Sequence, residues 1–494
     1  MDKSSGLYAL IYDFLEARIL FGYYRYGDRL PPIPELCDTF QIGRPTVRAA
    51  LARLEEAGYI RTGARRAAWV YYRAAPGRLE QNAADYFLPR RDGLLEFDDV
   101  CRLLLFPLWE AGAQRWDEAR WEALGRAFNQ APQDGPPPSV ELYLLGLKEL
   151  NSWLACNLYW EVIRYLRVPA LLDQSRFRDL VAGRAVLEAR ASGNPIRFLR
   201  EAMQETYRGL GEELFAFIRR AGPKYGPVPS PQIPFQWNIY RKRPQLRYTL
   251  SSRLIREIVK GAYPLGSYLP SLPELEKQYG VSLATVRRTL DLLEEMGVTR
   301  ARQGKGTQVC MERARIDLGK SGVREGLRLC RESLQLLALT IHGVSLHTLE
   351  HAPEERRAEL AEQLHSSLET GRSYYCFEIM LSFIRRQSPL AVIRECYGAL
   401  SDLVAWGYPF VRLLPERNLE TAYTAWVKRL EELLRRGELD AFCGEWAELM
   451  AQEEQTYAGL LRRGDDRAKA KNADHPAPAP GTSRAQARRS RREE

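Results

Sequence analysis

The sequence predicts a mainly α protein. Two winged helix-turn-helix domains, each of three helices and a β-hairpin wing, alternate with two all-α helical domains. Three observations predict this: a 64-residue segment occurs twice, apolar residues after each copy recur at helical spacing, and strand signals are confined to the end of each copy. Residues 7–70 and 246–309 align at a constant offset of 239 without a gap, and 21 of the 64 positions are identical. Gly22, Leu30-Pro31, Pro34-Glu35-Leu36, Thr46-Val47-Arg48, Leu54-Glu55-Glu56 and Gly58 return as Gly261, Leu269-Pro270, Pro273-Glu274-Leu275, Thr285-Val286-Arg287, Leu293-Glu294-Glu295 and Gly297. A repeat found by self-comparison constrains architecture more than any single motif.

Each element of the repeat has a local cause. In the second copy Leu254, Ile258 and Val259 supply the apolar face of a first helix, which Gly261 ends. Ser271 suits the N-cap of a short second helix, with Pro273 in its tolerant first turn. Ser282 suits the cap of a third, in which Val286, Leu290 and Leu293 face inward and Gly297 marks the stop. Residues 298–302 and 307–311 flank Gly304-Lys305-Gly306, a hairpin tip. The first copy repeats this order, with Val47, Leu51 and Leu54 inward and strands near 59–62 and 68–72.

Beyond the repeats, helical periodicity runs through residues 94–130, 139–170, 174–190 and 195–221, and again through 321–349, 353–370, 374–387, 389–414, 418–435 and 438–463. The expected domains are a winged helix at 1–75, a helical domain at 76–221, a Pro-rich basic linker at 222–245, a second winged helix at 246–312, a second helical domain at 313–466 and a disordered basic tail at 467–494. Residues 134–138 read as a helix–helix loop. The tail is rich in Ala, Pro, Arg and Lys and has little apolar surface to offset the entropy of ordering.

Composition narrows the function. The net charge of +9 is segregated. Residues 1–75 and 246–312 carry +3 each, 219–245 carry +6 and 467–494 carry +5, which leaves −8 for the rest. Such segregation suits a polyanionic partner. No apolar run approaches the ~20 residues of a membrane span. The eight cysteines form no Cys-x-x-Cys pair, which disfavours zinc ribbons and disulfide frameworks and fits a reducing cytoplasm. No phosphate-cradling Gly-x-x-x-x-Gly-Lys loop, Gly-x-Ser-x-Gly elbow or His-Glu-x-x-His pair is present, so no enzyme, cofactor or metal is expected. His342, His347 and His351 read as surface or helix-end residues, and the tryptophans at 109, 116, 121, 153 and 160 as helical core.

The run Gly261-Ala-Tyr-Pro-Leu-Gly-Ser-Tyr-Leu-Pro-Ser271, followed by Glu274-Leu275, Gly280-Val-Ser282, Thr285-Val286-Arg287, Leu290, Leu293 and Gly304-Lys-Gly306, resembles the winged helix of GntR-type bacterial transcriptional regulators. The first copy departs from the pattern. Pro32 stands where the family has Ser, and Arg65-Arg66-Ala67 replaces the glycine-bounded wing tip. The helical domains resemble those of the FadR-type branch. There Leu147-Lys148-Glu149-Leu150, leading to Asn157, resembles a Phe-His-x-x-Leu … Asn stretch, with Phe377-Glu378 taken as the second-copy counterpart. Lys148 and Glu378 would then stand where that branch often has a metal-binding His, and residues 1–241 contain no histidine. A three-histidine metal site is therefore excluded from the first half.

The resemblance implies a cytoplasmic regulator, expected to repress, that grips double-stranded operator DNA with the third helix of each repeat in the major groove. Arg44 and Arg48 in the first copy, and Arg287 and Arg288 in the second, are the candidates for base edges, because a guanidinium fork matches guanine O6 and N7. Thr46, Thr285, Ser271, Ser282 and the amides that start the third helices suit phosphate. Arg65, Arg66 and Lys305 reach from the wings, and Gly306 permits close approach. A small-molecule effector in a helical domain, and an intrachain pseudo-dimer or a homodimer, complete the expectation. The rival reading is a protein-interaction regulator in which the first winged helix is degenerate and only the second binds DNA.

Overall fold

The computed structural model describes residues 4–40, 43–63, 66–129, 138–167, 188–226, 231–239, 245–311, 320–411 and 421–474. Head 1 comprises α1 (Ser4–Leu20), α2 (Ile33–Phe40), α3 (Arg44–Glu56) and the antiparallel hairpin of β1 (Ile60–Gly63) and β2 (Arg66–Val70). The first helical domain holds α4 (Arg78–Phe87), α5 (Arg91–Leu95) and α6 (Phe97–Val100), which continues through a π turn at Cys101–Leu105 into α7 (Phe106–Ala113). Then come α8 (Glu118–Asn129), α9 (Pro138–Glu149), α10 (Trp153–Leu166) and α11 (Pro195–Tyr225). Head 2 repeats the first with α12 (Gln245–Lys260), α13 (Leu272–Tyr279), α14 (Leu283–Glu295), β3 (Thr299–Arg302) and β4 (Gly306–Val309). The second helical domain follows as α15 (Ser321–His351), α16 (Glu354–Glu369), α17 (Cys376–Gln387), α18 (Ala391–Val404), α19 (Gly407–Val411), α20 (Thr424–Arg435) and α21 (Leu439–Asp474).

Local chemistry divides the long helical stretches that periodicity alone had run together. The stretch 94–130 breaks where the Asp117 carboxylate accepts from Arg120 N at 2.8 Å and starts a new helix. The stretch 139–170 breaks at Asn151, whose φ is +50°, and restarts where Ser152 Oγ accepts from Ala155 N at 3.2 Å. Lys148 closes α9, whereas Glu378 lies in the first turn of α17. These two residues do not hold equivalent places, and Asn157 sits inside α10. The expected helix 174–190 and the Asp134-to-Pro137 loop fall almost wholly outside the described residues. At the C-terminus α21 runs to Asp474, so the expected tail begins helical: its Ala, Lys and Arg are good helix formers. Residues 475–494 lie outside the described residues.

Head 1 has an apolar core of its own, centred on Ile11, Leu15, Val47, Leu54, Ile60 and Val70. Head 2 does not. Its Leu254, Ile255, Val286 and Leu293 belong to one continuous core with both helical domains. All eight cysteines are free thiols. Among the described residues no helix is long and apolar enough to cross a membrane.

The two helical domains meet through exchanged helix caps. Glu96, before α6 in the first half, accepts from Ala391 N at 2.8 Å and Val392 N at 2.9 Å, at the start of α18 in the second. Glu332, on α15 in the second half, accepts from Leu154 N at 2.7 Å, at the start of α10 in the first. Helices α10 and α18 are both 14 residues long and occupy the same place in their halves. Each half thus neutralises the positive end of the same helix in the other. The segment joining the halves is packed between them. Phe235 and Trp237 are buried, Trp237 Nε1 donates to Asn157 Oδ1 at 2.8 Å, and Trp237 N donates to Glu395 Oε1 at 3.1 Å. Pro-rich sequence signalled a joint here, and its aromatic residues make part of that joint a seam.

Candidate nucleic-acid interface

Each third helix buries one stripe and exposes another. Helix α3 starts after Gly43, in extended conformation, with Pro45 in its first turn. It buries Thr46, Val47, Ala50, Leu51 and Leu54, and it exposes Arg44, Arg48 and Arg53. Arg53 lies over the Tyr12 ring, 5.9 Å from its centroid. Helix α14 is capped by Ser282, whose hydroxyl accepts from Thr285 N at 3.3 Å. It buries Val286, Thr289, Leu292 and Leu293 and exposes Arg287, Arg288 and Asp291. Leu290, expected inside, is only half-buried, and the small Thr289 fills that stripe instead. No ion pair holds Arg44, Arg48, Arg287 or Arg288 among the described residues, so their guanidiniums face outward unspent.

The helix starts differ between the heads. In α14 the first amide, Leu283 N, donates to Glu276 Oε1 at 3.0 Å, and the Thr285 amide is taken by Ser282. Two of the amides expected to meet phosphate already have partners. Thr285 Oγ1 also lies 3.0 Å from Ser282 Oγ. In head 1 Cys37 stands where head 2 has Glu276, and Thr46 is buried, so its hydroxyl is not presented. Ser271 is engaged in a capping box: its amide and hydroxyl donate to Glu274 Oε2 at 2.7 and 2.6 Å. Those hydrogen bonds hold the Glu274 carboxyl below the usual carboxylate range.

The wings carry the remaining candidates. In head 2 the register runs from Thr299 opposite Val309 to Arg302 opposite Gly306. Lys305 N donates to Arg302 O at 3.0 Å, and Gly304 and Gly306 adopt φ of +71° and +100°, which side-chain-bearing residues rarely do. Lys305 stands exposed at the tip. The wing is tied to the body by Leu269 N to Thr307 O at 2.8 Å and by Gln308 Nε2 to Gly266 O at 2.9 Å. Wing 1 slips register between Arg61 and Gly63. Glu55, at the end of α3, anchors it by accepting from Thr62 N at 2.8 Å and Thr62 Oγ1 at 2.5 Å. Arg65 lies outside the described residues, and of Arg66 only the backbone, in β2, is described.

The interface also depends on residues that patterning did not single out, those that seat each head on its helical domain. In head 2 the Arg256 guanidinium reaches Glu378 at 2.5 and 3.1 Å and Asp402 at 2.5 Å, and Lys260 Nζ lies 3.2 Å from Glu378. Burial alone would raise the Glu378 carboxyl, but the hydrogen bonds and charge of Arg256, with Lys260, outweigh it and hold the group below the usual range. Trp406, fully buried, donates its indole N–H to Ser252 Oγ at 2.6 Å and packs on Tyr248 with centroids 5.5 Å apart. In head 1 the seat is Arg164 to Asp13 at 2.5 Å and Arg167 to Glu16 at 3.5 Å.

Comparison with known proteins finds one family at both places. Residues 7–70 and 247–309 each match the family described as bacterial regulatory proteins, gntR family. An uncharacterised HTH-type transcriptional regulator, YieP of Escherichia coli (strain K12), is 39% identical over 64 residues, 13% of this chain and 28% of that protein. A probable fructoselysine utilization operon transcriptional repressor of the same organism is 42% identical over 66 residues, 13% of this chain and 27% of that protein. The chain thus spans little more than a quarter of the length of these curated relatives. Among solved structures, Streptococcus agalactiae GntR is 14% identical with a TM-score of 0.20, covering 42% of this chain and 99% of that one. Escherichia coli McbR/YncC is 20% identical with a TM-score of 0.24, covering 44% and 98%. Scores this low carry no argument about arrangement. The two sequence matches each fall on a complete winged helix-turn-helix, so the chain carries two tandem segments that match the gntR family of bacterial regulatory proteins.

Proposed function

We propose that the chain is a sequence-specific DNA-binding transcriptional regulator, a repressor, that presents two unequal reading heads from one polypeptide. The observation that carries this reading is the pair of third helices. Each spends its apolar stripe inward and leaves arginines outward (Arg44 and Arg48 on α3, Arg287 and Arg288 on α14) that have no ion pair among the described residues, at a helix face sized for a major groove. The exchanged caps at Glu96 and Glu332 support an intrachain pseudo-dimer, because they join the halves as two subunits would join across a twofold axis. The outer faces differ, so the preferred site is asymmetric. Exposed on α3 are Arg44, Arg48 and Arg53, with the acid Glu56 only at its C-terminal end; exposed on α14 are Arg287, Arg288 and, in mid-helix, the acid Asp291. The test is binding of purified full-length protein to a library of duplexes at several salt concentrations. Salt-dependent selection of an asymmetric site by one chain is expected. Absence of salt-sensitive retention of any duplex would overturn the reading.

The irregular wing 1 motivates the rival, in which head 1 binds protein rather than DNA. That rival predicts that Arg48→Ala leaves operator binding intact while Arg287→Ala abolishes it.

Small-molecule control is the finer part of the proposal. A cavity in the second helical domain is lined by Leu334, Tyr374, Phe377, Tyr408, Tyr423 and Glu453. Phe377 is the neighbour of Glu378, which holds Arg256 of head 2. A ligand that displaced the start of α17 would therefore move that head. Unchanged operator affinity across a metabolite panel would remove support for this.

A further inference from the structure

The two heads sit on their helical domains through the same pair of elements but with opposite charge. Helix α1 packs on α10, and α12 packs on α18. Arg164 and Asp402 hold the same place on equivalent helices, since each is eleven residues beyond the first (164 − 153 and 402 − 391). In the first half the head helix supplies the acids, Asp13 and Glu16, and the helical domain supplies the bases, Arg164 and Arg167. In the second half the head helix supplies the bases, Arg256 and Lys260, and the helical domain supplies the acids, Asp402 and Glu378. The remaining charged residue bonded to Arg164 is Glu161, 3.1 Å away on its own helix.

We propose that this charge reversal keys each winged helix to its own half of the chain. Duplicated halves start with interchangeable seats, and heads on interchangeable seats would settle in several arrangements. On the 239-residue alignment Asp13 and Glu16 match Ser252 and Ile255, and Arg256 and Lys260 match Ala17 and Phe21. A head 1 helix placed on α18 would therefore offer Asp402 and Glu378 no cation at those places and bring Asp13 and Glu16 within about a turn of them. A head 2 helix placed on α10 would offer Arg164 and Arg167 no acid and bring Arg256 and Lys260 within about a turn. Like charges meeting in partly buried positions exclude the wrong pairing, and specificity of this kind needs such a repulsive element as well as the attractive one. The proposal concerns assembly of the chain and stands whether or not the heads read DNA.

The test uses full-length protein and hydrogen exchange of residues 4–20 and 153–166, with circular dichroism as the control for folding. Arg164→Ala removes the attraction, and Arg164→Asp also installs the repulsion. Exchange at both segments is expected to rise in the first and to rise roughly tenfold further in the second. Adding Asp13→Arg to Arg164→Asp is expected to return exchange to near the unsubstituted level. Equal effects of the Ala and Asp substitutions would overturn the proposal. So would failure of the double exchange to restore protection, including failure through misfolding, because the reversed pair keeps one cation and one acid at the same two places.

Discussion

Head 1 and head 2 share 21 of 64 aligned residues, yet they are attached to the body in different ways. Head 1 closes its own apolar core and meets its helical domain through the Arg164–Asp13 and Arg167–Glu16 ion pairs together with Phe21 packed on Tyr86 and Phe87. Head 2 has given up a separate core: Trp406 plugs the gap under α12, and Arg256 is clamped between two acids. The difference teaches that a duplicated domain keeps the residues that define its fold while its mounting is free to diverge. The third helices diverge too: where α14 exposes Arg287, Arg288 and Asp291, α3 has Arg48, Ala49 and Ala52 and exposes Arg44 and Arg53 instead. One head is separately cored and the other is fused to the body, although both segments carry the same net charge.

The comparison can be broken most forcefully at Trp406. Replacing this fully buried indole with alanine should destabilise the protein by about 3–5 kcal/mol and loosen head 2 specifically. The check is denaturant unfolding together with hydrogen exchange of residues 245–260. An equal loss of protection in head 1 would show that the heads are not mounted differently.

Acid should act on the same seat. The Glu378 carboxyl is held below its ordinary value of 4.5 in the folded state. Its contribution is therefore fully present above that ordinary value and is lost as pH falls through the depressed one. Exchange at residues 245–260 should rise as acid takes the pH below that ordinary value and through the depressed one, and Glu378→Gln should flatten that response.

DNA affinity sharpens the comparison between the reading faces. Removing a well-placed arginine costs about 1–3 kcal/mol of discrimination, so Arg48→Ala and Arg287→Ala should each relax preference at a different half of one asymmetric site. Site selection on the two variants reads this out. Loss confined to one variant would assign DNA contact to one head alone.

The smallest effect belongs to the wing. Lys305→Ala should weaken binding almost uniformly across sequences and reduce the salt slope by about 1. Fluorescence anisotropy at several salt concentrations measures it. A change in sequence preference would instead mean that the wing reads base edges.

The heads were legible because their determinants are local. Ser282, Gly261, Gly304 and the Val286–Leu293 stripe act within a few residues of where they stand, and the repeat doubled every signal. The breaks at Asp117 and Asn151 were within reach, since Asp before a helix start and Asn at a positive φ are ordinary punctuation, but strong periodicity on both sides masked them. The burial of Thr46 follows from its place one residue before Val47 on a tightly packed helix, which pattern alone does not rank. The seats and the exchanged caps were not legible. Glu96 meets Ala391, 295 residues away, and Glu332 meets Leu154, 178 away. Either glutamate alone reads as one more acid on a solvated helix. Trp237 is similar: a run of prolines announces a connection and says nothing of what the aromatic rings beside it will pack against.

The exchanged caps also bear on the history open to this chain. Cutting the connection between the halves would strand a glutamate on each fragment, Glu332 in a dry interior, and leave two helices with bare amides at their starts. Two separate polypeptides would have to find one another before either finished folding. Two genes in place of one would therefore need both products present together, in matched amounts, for either to close its helix start.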